Sequence, residues 1–339
     1  MENSEIKISV IMSSYNTSES YLKAAIKSLL NQTFTDFEIL LVNDGGNKIN
    51  LESIANDNRI KLIEYEEKKG LATRMNECIR MANGKYIARM DCDDYAVKDR
   101  LEKQYNFMEK NSKIVMCSGF AKKFGQDNSF IFNIWNKPKE IQVQLFYTNV
   151  IVHPSVMFRK SFLIDNNLFY EESYLYSQDF EFWTRLSKEG KIAIISQILL
   201  FYRVHNKQSS TDKKIEQRNY YESTLKRNLK ELILKEEDLK YIKMLNGSLE
   251  NVEYENLKTF INKTIHCNNE RKIYNTKSLR KVLYNAYFFL CLKNKKINFR
   301  YFGIQSLNHI FRKFFTEIKV RLQFIKYKEE YKELEVNCK

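Results

Sequence analysis

Short apolar runs alternate with helical segments through the N-terminal part of this 339-residue chain. The apolar runs that favour strands lie at 8–12, 37–42, 60–63 and 85–90. The segments between them, at 19–31, about 50–56 and 71–82, carry apolar residues at helical spacing. Gly84 is predicted to end the third of these helices. The alternation predicts βαβ units, and therefore an α/β fold with a mostly parallel sheet flanked by helices.

Polar side chains directly follow three of the predicted strands. Ser14, Tyr15 and Asn16 follow the first strand, Asp44 follows the second, and the acidic run 91–94 follows the fourth. Ligands of open α/β sheets bind beyond the carboxyl ends of the strands. We therefore expect these polar groups to meet at one rim of the sheet.

The run Asp91-Cys92-Asp93-Asp94 places three carboxylates within four positions. Such charges repel one another unless a positive group lies among them, and their oxygens are ligands that suit Mg²⁺ or Mn²⁺. Because Mg²⁺ commonly binds carboxylates and substrate phosphates together, the run also predicts a phosphorylated ligand. The alternative is an acidic loop whose Asp94 or Asp99 caps the following helix. The polar ends of the neighbouring strands favour the metal for Asp91 and Asp93 and leave Asp94 open.

Five segments carry a resemblance to a known family in the family's own order. They read ISVIMSSYN at 8–16, VNDG at 42–45, GLATRMN at 70–76, ANGKYIARMDCDD at 82–94 and QDFEFW at 178–183. Together they resemble the family 2 glycosyltransferases, which have the Rossmann-like GT-A fold for nucleotide sugars. The resemblance covers about residues 6–210. It implies transfer of a sugar from a nucleotide-diphosphate donor, with inversion, in the synthesis of capsule, lipopolysaccharide, teichoic acid or related cell-envelope chains.

The resemblance also implies a role for individual residues of the nucleotide-sugar pocket. The donor, expected to be a UDP-sugar, would contact Ser14, Tyr15, Asn16, Asp44, Arg74, Asn76, Asp91 and Cys92. Within this set Asp44 would recognise the base. The Mn²⁺ or Mg²⁺ ion would be held by Asp93, Asp91 and His205. The chain departs from the family pattern at Ser14, where proline is common, and at Asn43, where a second acid is common.

Asp179 matches the acid that serves the family as general base, which removes the proton of the acceptor hydroxyl. Gln178 precedes it where the family usually has glutamate. A helix-capping role is the alternative for Asp179, because a helical run starts directly after it. The segment around His153 resembles the acceptor-side strand of the family, and Tyr176 and Trp183 are expected to stack on an acceptor sugar. The alternatives are a structural role for the histidine and core packing for the two aromatic residues.

Positive charge is concentrated in the C-terminal part. Residues 1–205 carry 27 Lys and Arg against 26 Asp and Glu, a net +1, whereas residues 206–339 carry 29 against 16, a net +13. We expect a GT-A domain at 1–210 and a basic helical region at 211–339. Within this region, 310–325 combines an apolar stripe with basic residues, which is typical of a helix that binds anionic membranes. The alternatives are packing on the protein itself or contact between copies in a homo-oligomer. Nucleic-acid binding is not expected because no recognised motif accompanies the charge.

The sequence favours a cytoplasmic protein, acting at the inner face of the plasma membrane. Residues 1–5 do not resemble a signal peptide, the six cysteines form no CxxC pair, and the apolar stretch at 282–292 is too short to span a bilayer. The sequence leaves two other functions as alternatives. A sugar-phosphate nucleotidyltransferase would need a glycine-rich, basic loop that is missing at 13–17, and a non-catalytic membrane scaffold would be expected to lack the acids.

Overall fold

The structure, a computed structural model, describes residues 6–205, 213–294 and 304–337. These residues form one sheet of nine strands. The strands are β1 (Ile8–Ser14), β2 (Phe37–Asp44), β3 (Ile60–Tyr65), β4 (Tyr86–Arg89), β5 (Tyr95–Ala96), β6 (Ile114–Gly125), β7 (Phe130–Ile131), β8 (Met157–Arg159) and β9 (Lys191–Val204). Their order is β3-β2-β1-β4-β8-β6-β9-β5, with β7 paired to β6.

Helices cover the sheet and make up the C-terminal part. They are α1 (Glu19–Leu30), α2 (Leu51–Ile54), α3 (Leu71–Met81), α4 (Arg100–Lys110), α5 (Pro138–Tyr147), α6 (Lys160–Asp165), α7 (Gln178–Glu189), α8 (Lys214–Glu231), α9 (Leu239–Leu245), α10 (Tyr254–Arg271), α11 (Thr276–Lys293), α12 (Ile304–Ile325) and α13 (Lys328–Asn337). Short 3₁₀ turns lie at His153–Ser155 and Glu236–Asp238. The predicted α/β class and the helical C-terminal region are both confirmed.

The first four strands in the sheet order form its parallel half. Strand β1 pairs in parallel with β2 and β4, and β2 pairs in parallel with β3. The apolar side chains of β1 alternate between two cores: Ile8, Val10 and Met12 join the core that contains α1, whereas Ile11 joins the core that contains α3. A strand buried on both faces reads as a continuous apolar run, which is why these strands were recognisable in the sequence.

The other half of the sheet is mixed, so the expectation of a mostly parallel sheet is wrong there. Strand β8 runs antiparallel to both β4 and β6, and β9 then pairs in parallel with β6. Strand β5 pairs with β9 in antiparallel orientation, and β7 pairs with β6 in the same way. The insertion of a three-residue strand between β4 and β6 sets these directions, and apolar periodicity carries no information about strand direction.

Gly84 has a different role from the predicted one. Helix α3 ends at Met81, with Ala82 at its C-cap. The Gly84 amide donates a hydrogen bond to Ser9 Oγ at 2.8 Å, and a Cβ at this position would lie 2.4 Å from the Ser9 nitrogen. Glycine is therefore required because the chain passes directly against β1.

The C-terminal helices pack on the α/β part. The rings of Phe146 and Tyr274 lie 5.8 Å apart, and Lys281 donates to Glu140 at 2.8 Å. Helix α13 places Tyr331 against Phe201, with ring centroids 5.2 Å apart. The expected boundary at 210/211 lies outside the described residues. Among the helices that are described, none has the length and apolarity needed to cross a membrane.

Candidate functional site

The carboxyl ends of the parallel strands form one rim, as predicted. Ser14 at the end of β1 lies in register with Asn43 of β2, and Asp44 lies in register with Tyr65 of β3. Strand β4 pairs with β1 up to Arg89, two residues before Asp91. The shared direction of the four strands brings the polar segments that follow them to the same edge.

Asp44 lies in a buried cluster on this rim. Its side chain is almost completely buried. One carboxylate oxygen accepts hydrogen bonds from the Lys69 amide at 2.8 Å and from Arg74 Nε at 2.6 Å. The other accepts from the Gly70 amide at 2.8 Å. The carboxylate therefore holds the start of α3 against the end of β2.

Arg74 completes this cluster from α3. Its guanidinium donates to Glu77 at 2.9 Å and to the Glu67 carbonyl at 2.6 Å, and its Cζ lies 3.5 Å from the centre of the Tyr65 ring. Burial opposes the charge, but the hydrogen bonds to Glu77 and Asp44 outweigh it and raise the pKa of Arg74. Arg74 is thus a permanent buried cation, and its partners form a rigid wall at the rim.

Two loops next to this wall are locked together by asparagines. Asn16, with φ 53°, accepts a hydrogen bond from the Asn47 amide at 2.8 Å. Asn43 donates to the Asn47 carbonyl at 3.0 Å, so the residue that replaces the family's second acid serves the loop structure. Tyr15 keeps 45% of its surface exposed, and Lys68 Nζ lies 3.7 Å from its ring centre.

Asn76 and Cys92 point their polar groups into the protein. The Asn76 amide donates to the Tyr170 carbonyl at 3.0 Å and to Glu172 at 2.9 Å, and its oxygen accepts from the Tyr170 amide. The Cys92 thiol donates to the Ser13 carbonyl at 3.3 Å. Asn76 therefore joins α3 to the segment before α7, and Cys92 joins the acidic run to β1.

The three acids of the run come together in space. One oxygen from each of Asp91, Asp93 and Asp94 lies within 4.8 Å of the others. Asp93 Oδ2 is 3.0 Å from His205 Nε2. Asp94 Oδ1 accepts from the Arg203 amide at 2.9 Å, whereas its buried Oδ2 has no partner among the described residues.

The capping alternative is wrong for Asp94, whereas Asp99 takes the expected position at the start of the next helix. Helix α4 begins at Arg100 with Asp99 at the N-cap, and no side chain caps it. Asp94 instead binds the backbone of β9, and Asp99 pairs with Lys103 at 2.8 Å and Tyr327 at 2.8 Å. Asp94 therefore faces the other two acids rather than a helix.

The acid cluster fits a divalent cation. Burial and the negative charge of Asp93 raise the pKa of Asp94 well above its ordinary value. Burial also raises the pKa of Asp91, although Arg89 opposes this. Three converging carboxylates, one with an unused buried oxygen, together with an imidazole, are a donor set suited to Mn²⁺ or Mg²⁺.

Arg89 was not among the predicted site residues. It is buried, and its Nη2 forms an ion pair with Asp91. Its charge also influences the pKa values of Asp179 and His153. An arginine inside the otherwise apolar strand before the acids was the signal in the sequence, because a buried charge needs a partner.

Arg203 holds the acidic run from the other side. Its Nε donates to the Asp93 carbonyl at 2.8 Å, and its Cζ lies 4.0 Å from the centre of the Tyr21 ring. The ring of Tyr21 is in turn 5.6 Å from that of His205. The end of β9 and the start of α1 thus enclose the acids.

Asp179 lies in the first turn of α7. The N-cap is Ser177, with φ 54° and no side-chain capping bond. Asp179 Oδ2 accepts from Asn149 Nδ2 at 2.8 Å. Burial raises the pKa of Asp179, whereas hydrogen bonds from the Phe180 amide and Asn149 lower it. The charge of Asp179 in turn raises the pKa of Asp91, which places both carboxylates in one electrostatic site.

The acceptor-side residues differ in exposure. Trp183 is completely buried and packs against His153 and Phe158, which fits the alternative of core packing rather than stacking of its ring on an acceptor. His153 Nε2 bonds the Tyr170 hydroxyl at 2.9 Å, and burial lowers the pKa of His153 well below its ordinary value. Tyr176, the third acceptor-side residue, lies outside this aromatic core, and its ring is 6.2 Å from that of Tyr220.

Comparison with known proteins identifies the family. Residues 9–166 match the profile described as Glycosyl transferase family 2. An uncharacterized glycosyltransferase of Methanocaldococcus jannaschii is 36% identical over 233 residues, which are 66% of this chain and 79% of that protein. The O-antigen biosynthesis glycosyltransferase WbnJ of Escherichia coli is 30% identical over 209 residues, which are 59% of this chain and 80% of WbnJ. The chain belongs to glycosyltransferase family 2.

Solved structures share the fold. TarS of S. aureus, residues 1–349 in complex with UDP, aligns with a TM-score of 0.55 and 21% identity over 86% of this chain and 91% of that one. The mannosyltransferase PcManGT of Pyrobaculum calidifontis, in complex with GDP-Man and Mn²⁺, aligns with a TM-score of 0.52 and 12% identity over 85% and 86% of the two chains. The predicted GT-A fold is confirmed, and the protein is a glycosyltransferase.

Replacing Asp44 by asparagine should destabilise the fold. Asp44→Asn removes the buried negative charge next to Arg74 and places an amide group against backbone donors, which should cost about 3 kcal/mol in the free energy of unfolding. Urea unfolding followed by circular dichroism measures this loss. Glu77→Gln is the matched control, because Glu77 is 25% exposed and should cost less than about 1 kcal/mol. Equal losses in the free energy of unfolding of the two variants would contradict the role of Asp44 as the buried partner that holds Arg74 and the start of α3.

Proposed function

We propose that this glycosyltransferase moves a sugar, with inversion, from a UDP-sugar to a hydroxyl of a glycan or lipid-linked acceptor. The observation that carries the proposal is the convergence of Asp91, Asp93 and Asp94 at a strand-end rim that they share with Asp44, with Asp179 nearby. The relatives support a role in capsule, lipopolysaccharide or related cell-envelope polysaccharides, because WbnJ is named for O-antigen biosynthesis.

In this proposal the nucleotide lies along the loops that follow β1 and β2. The exposed ring of Tyr15 offers a face on which a base stacks. Asp44 and Arg74 set the position of the wall beside it, and Asp44 reads the base through an oxygen lone pair that its present hydrogen bonds leave free. UDP is the favoured nucleotide because TarS has been crystallised with UDP and with UDP-GlcNAc.

The diphosphate of the donor is assigned to the acid cluster. Asp91, Asp93, Asp94 and His205 would hold Mn²⁺ or Mg²⁺, and the bound ion would stabilise the negative charge of the leaving diphosphate as a Lewis acid. The structure of PcManGT with GDP-Man and Mn²⁺ supports this assignment. Arg203 fixes the Asp93 backbone, and Arg89 offsets part of the repulsion among the acids.

Asp179 is proposed as the general base. Its carboxylate accepts the proton of the acceptor hydroxyl while the hydroxyl oxygen forms a bond to the anomeric carbon. The bond from that carbon to the diphosphate oxygen breaks, and its electron pair leaves with the diphosphate. A raised pKa strengthens a carboxylate as a proton acceptor near neutral pH. One displacement inverts the anomeric carbon and needs no second carboxylate as nucleophile.

The two other functions are less well supported. The loop between β1 and α1, residues 15–18, contains neither glycine nor lysine, whereas a nucleotidyltransferase would need such residues to hold the triphosphate of its substrate. A non-catalytic scaffold does not require three acids whose carboxylate oxygens converge. We place the proposed reaction at the inner face of the plasma membrane, where a lipid-linked acceptor would be accessible.

A thermal-shift panel tests the donor and the metal together. UDP, GDP, CDP and UDP-sugars are added with Mn²⁺ to the wild type, and UDP or a UDP-sugar should raise the Tm by about 5 °C near saturation. Asp93→Ala or EDTA should abolish the part of the shift that depends on metal. Asp165→Ala, at an exposed acid outside the site, is the matched control. No shift with any nucleotide would contradict the donor class.

Replacing Asp179 should separate catalysis from binding. Asp179→Asn should lower the rate of nucleoside-diphosphate release by about 10²–10⁴-fold, because the acceptor proton loses its base. The thermal shift with donor should stay at the wild-type value. Release is measured with the donor identified by the panel, and Asp165→Asn serves as the control. A variant that releases the nucleotide at the wild-type rate refutes the assignment.

The pH dependence should respond to Asn149. The base acts when deprotonated, so activity falls as the pH drops through the pKa of Asp179. Asn149 lowers that pKa through its hydrogen bond, as the charge of Arg89 also does. Asn149→Ala should therefore move the acid limb of the kcat profile to higher pH, whereas Asn166→Ala, an exposed control, should leave it unchanged. If the acid limb of the Asn149→Ala profile stays at the wild-type pH, a group other than Asp179 sets that limb.

A further inference from the structure

Helix α12 exposes an apolar stripe. Six large apolar side chains lie on one side of it and are 38–64% exposed: Phe311, Phe314, Phe315, Ile318, Leu322 and Ile325. Their spacing of three or four residues places all of them within about 100° of arc on a helix. Single exposed apolar residues are ordinary on protein surfaces, but a continuous stripe of this kind marks an interaction surface.

The opposite face of α12 attaches the helix to the protein. Val320 is buried, Gln323 donates to the Ser196 carbonyl at 3.0 Å, and the ring of Phe324 lies 5.6 Å from that of Phe130. The helix is therefore already seated on the sheet through this second face. The stripe stays exposed among the described residues, so the fold does not require its apolar character.

Basic side chains flank the stripe. Lys319 and Lys326 lie on one side of it and Arg321 on the other, and all three are exposed. Residues 304–325 contain one acid, Glu317, and it pairs with Arg321 at 2.8 Å. Lys326 pairs with Asp99 at 2.6 Å, so Lys319 is the one of these three cations that no acid of the described residues offsets. The sequence around the stripe is nevertheless strongly basic, with 17 basic and two acidic residues in 258–328.

We propose that this stripe inserts into the surface of an anionic phospholipid bilayer. Phenylalanine, leucine and isoleucine side chains enter the boundary between headgroups and acyl chains, while flanking lysines and arginines bind the phosphates. Pairing with a second copy is less favourable, because two identical helices of this charge would repel each other when they meet along the stripe.

The end of the stripe is tied to the segment that carries the acid cluster. Directly after Ile325, Lys326 and Tyr327 bind Asp99 at 2.6 and 2.8 Å. Glu330 then accepts a hydrogen bond from the Lys98 amide at 3.0 Å. Asp99 lies five positions after Asp94. A bilayer under α12 would thus hold the acid cluster near the membrane, which, if the proposed function holds, is where a lipid-linked acceptor is carried.

Vesicle co-sedimentation of the full chain tests the proposal. The protein should bind vesicles of phosphatidylcholine with phosphatidylglycerol and bind weakly to phosphatidylcholine alone. Phe314→Ser with Phe315→Ser should reduce binding by at least about tenfold, because two large apolar side chains no longer insert. Lys319→Glu with Arg321→Glu should reduce binding by about tenfold or more, and salt at about 1 M should weaken wild-type binding.

Ile215→Ser with Ile233→Ser is the matched control, since these residues are 75% and 68% exposed but lie outside the stripe; it should bind like the wild type. Equal binding by the Phe314/Phe315 variant and the wild type would overturn the proposal. The proposal would also be overturned if the wild type formed a dimer in solution, the Phe314/Phe315 variant were monomeric, and neither protein bound vesicles. The donor-induced thermal shift is measured in parallel. Its persistence in the variant separates a failure of the membrane inference from a failure of the proposed function.

Discussion

The repulsion among three neighbouring carboxylates is the constraint on which the site depends. Asp91, Asp93 and Asp94 remain close because positive groups reach them from different parts of the fold. Arg89 reaches them from β4 and Arg203 from β9. Each arginine is buried, and a buried cation is tolerated only with anionic or carbonyl partners. The acids and arginines therefore stabilise each other, and a divalent cation would complete the balance of charge.

The same balance of buried charges recurs at the part of the rim that we propose for the nucleotide. Asp44 and Arg74 form a second buried pair, and the Lys69 and Gly70 amides also donate hydrogen bonds to the carboxylate. Both pairs lie where loops leave the sheet, so they convert the ends of strands into fixed walls. Asparagines 16 and 43 extend this rigidity to the first two loops. A site held in this way needs little reorganisation when a charged donor binds.

The packing of the basic C-terminal region decides between two interpretations of its sequence. Its sequence allowed α12 to bury its apolar stripe on the protein or to present it to a membrane. The face that carries Val320 and Phe324 packs on the sheet, and the stripe stays outside. The contacts of Lys326 and Tyr327 with Asp99 connect this helix to the acidic segment. Helices that are distant in sequence thus contact the segment that follows the acid cluster.

The sequence by itself determined the alternation of strands and helices and the rim of polar groups, because apolar periodicity and strand-end polarity are local properties. It indicated the family through the resemblance of five ordered motifs. Tertiary structure decided what depends on segments far apart in the chain. It reversed β8 and bound Asp94 to β9 instead of a helix start. It also placed Trp183 in the core. Local pattern cannot encode such contacts, because the packing of whole elements selects which side chains meet.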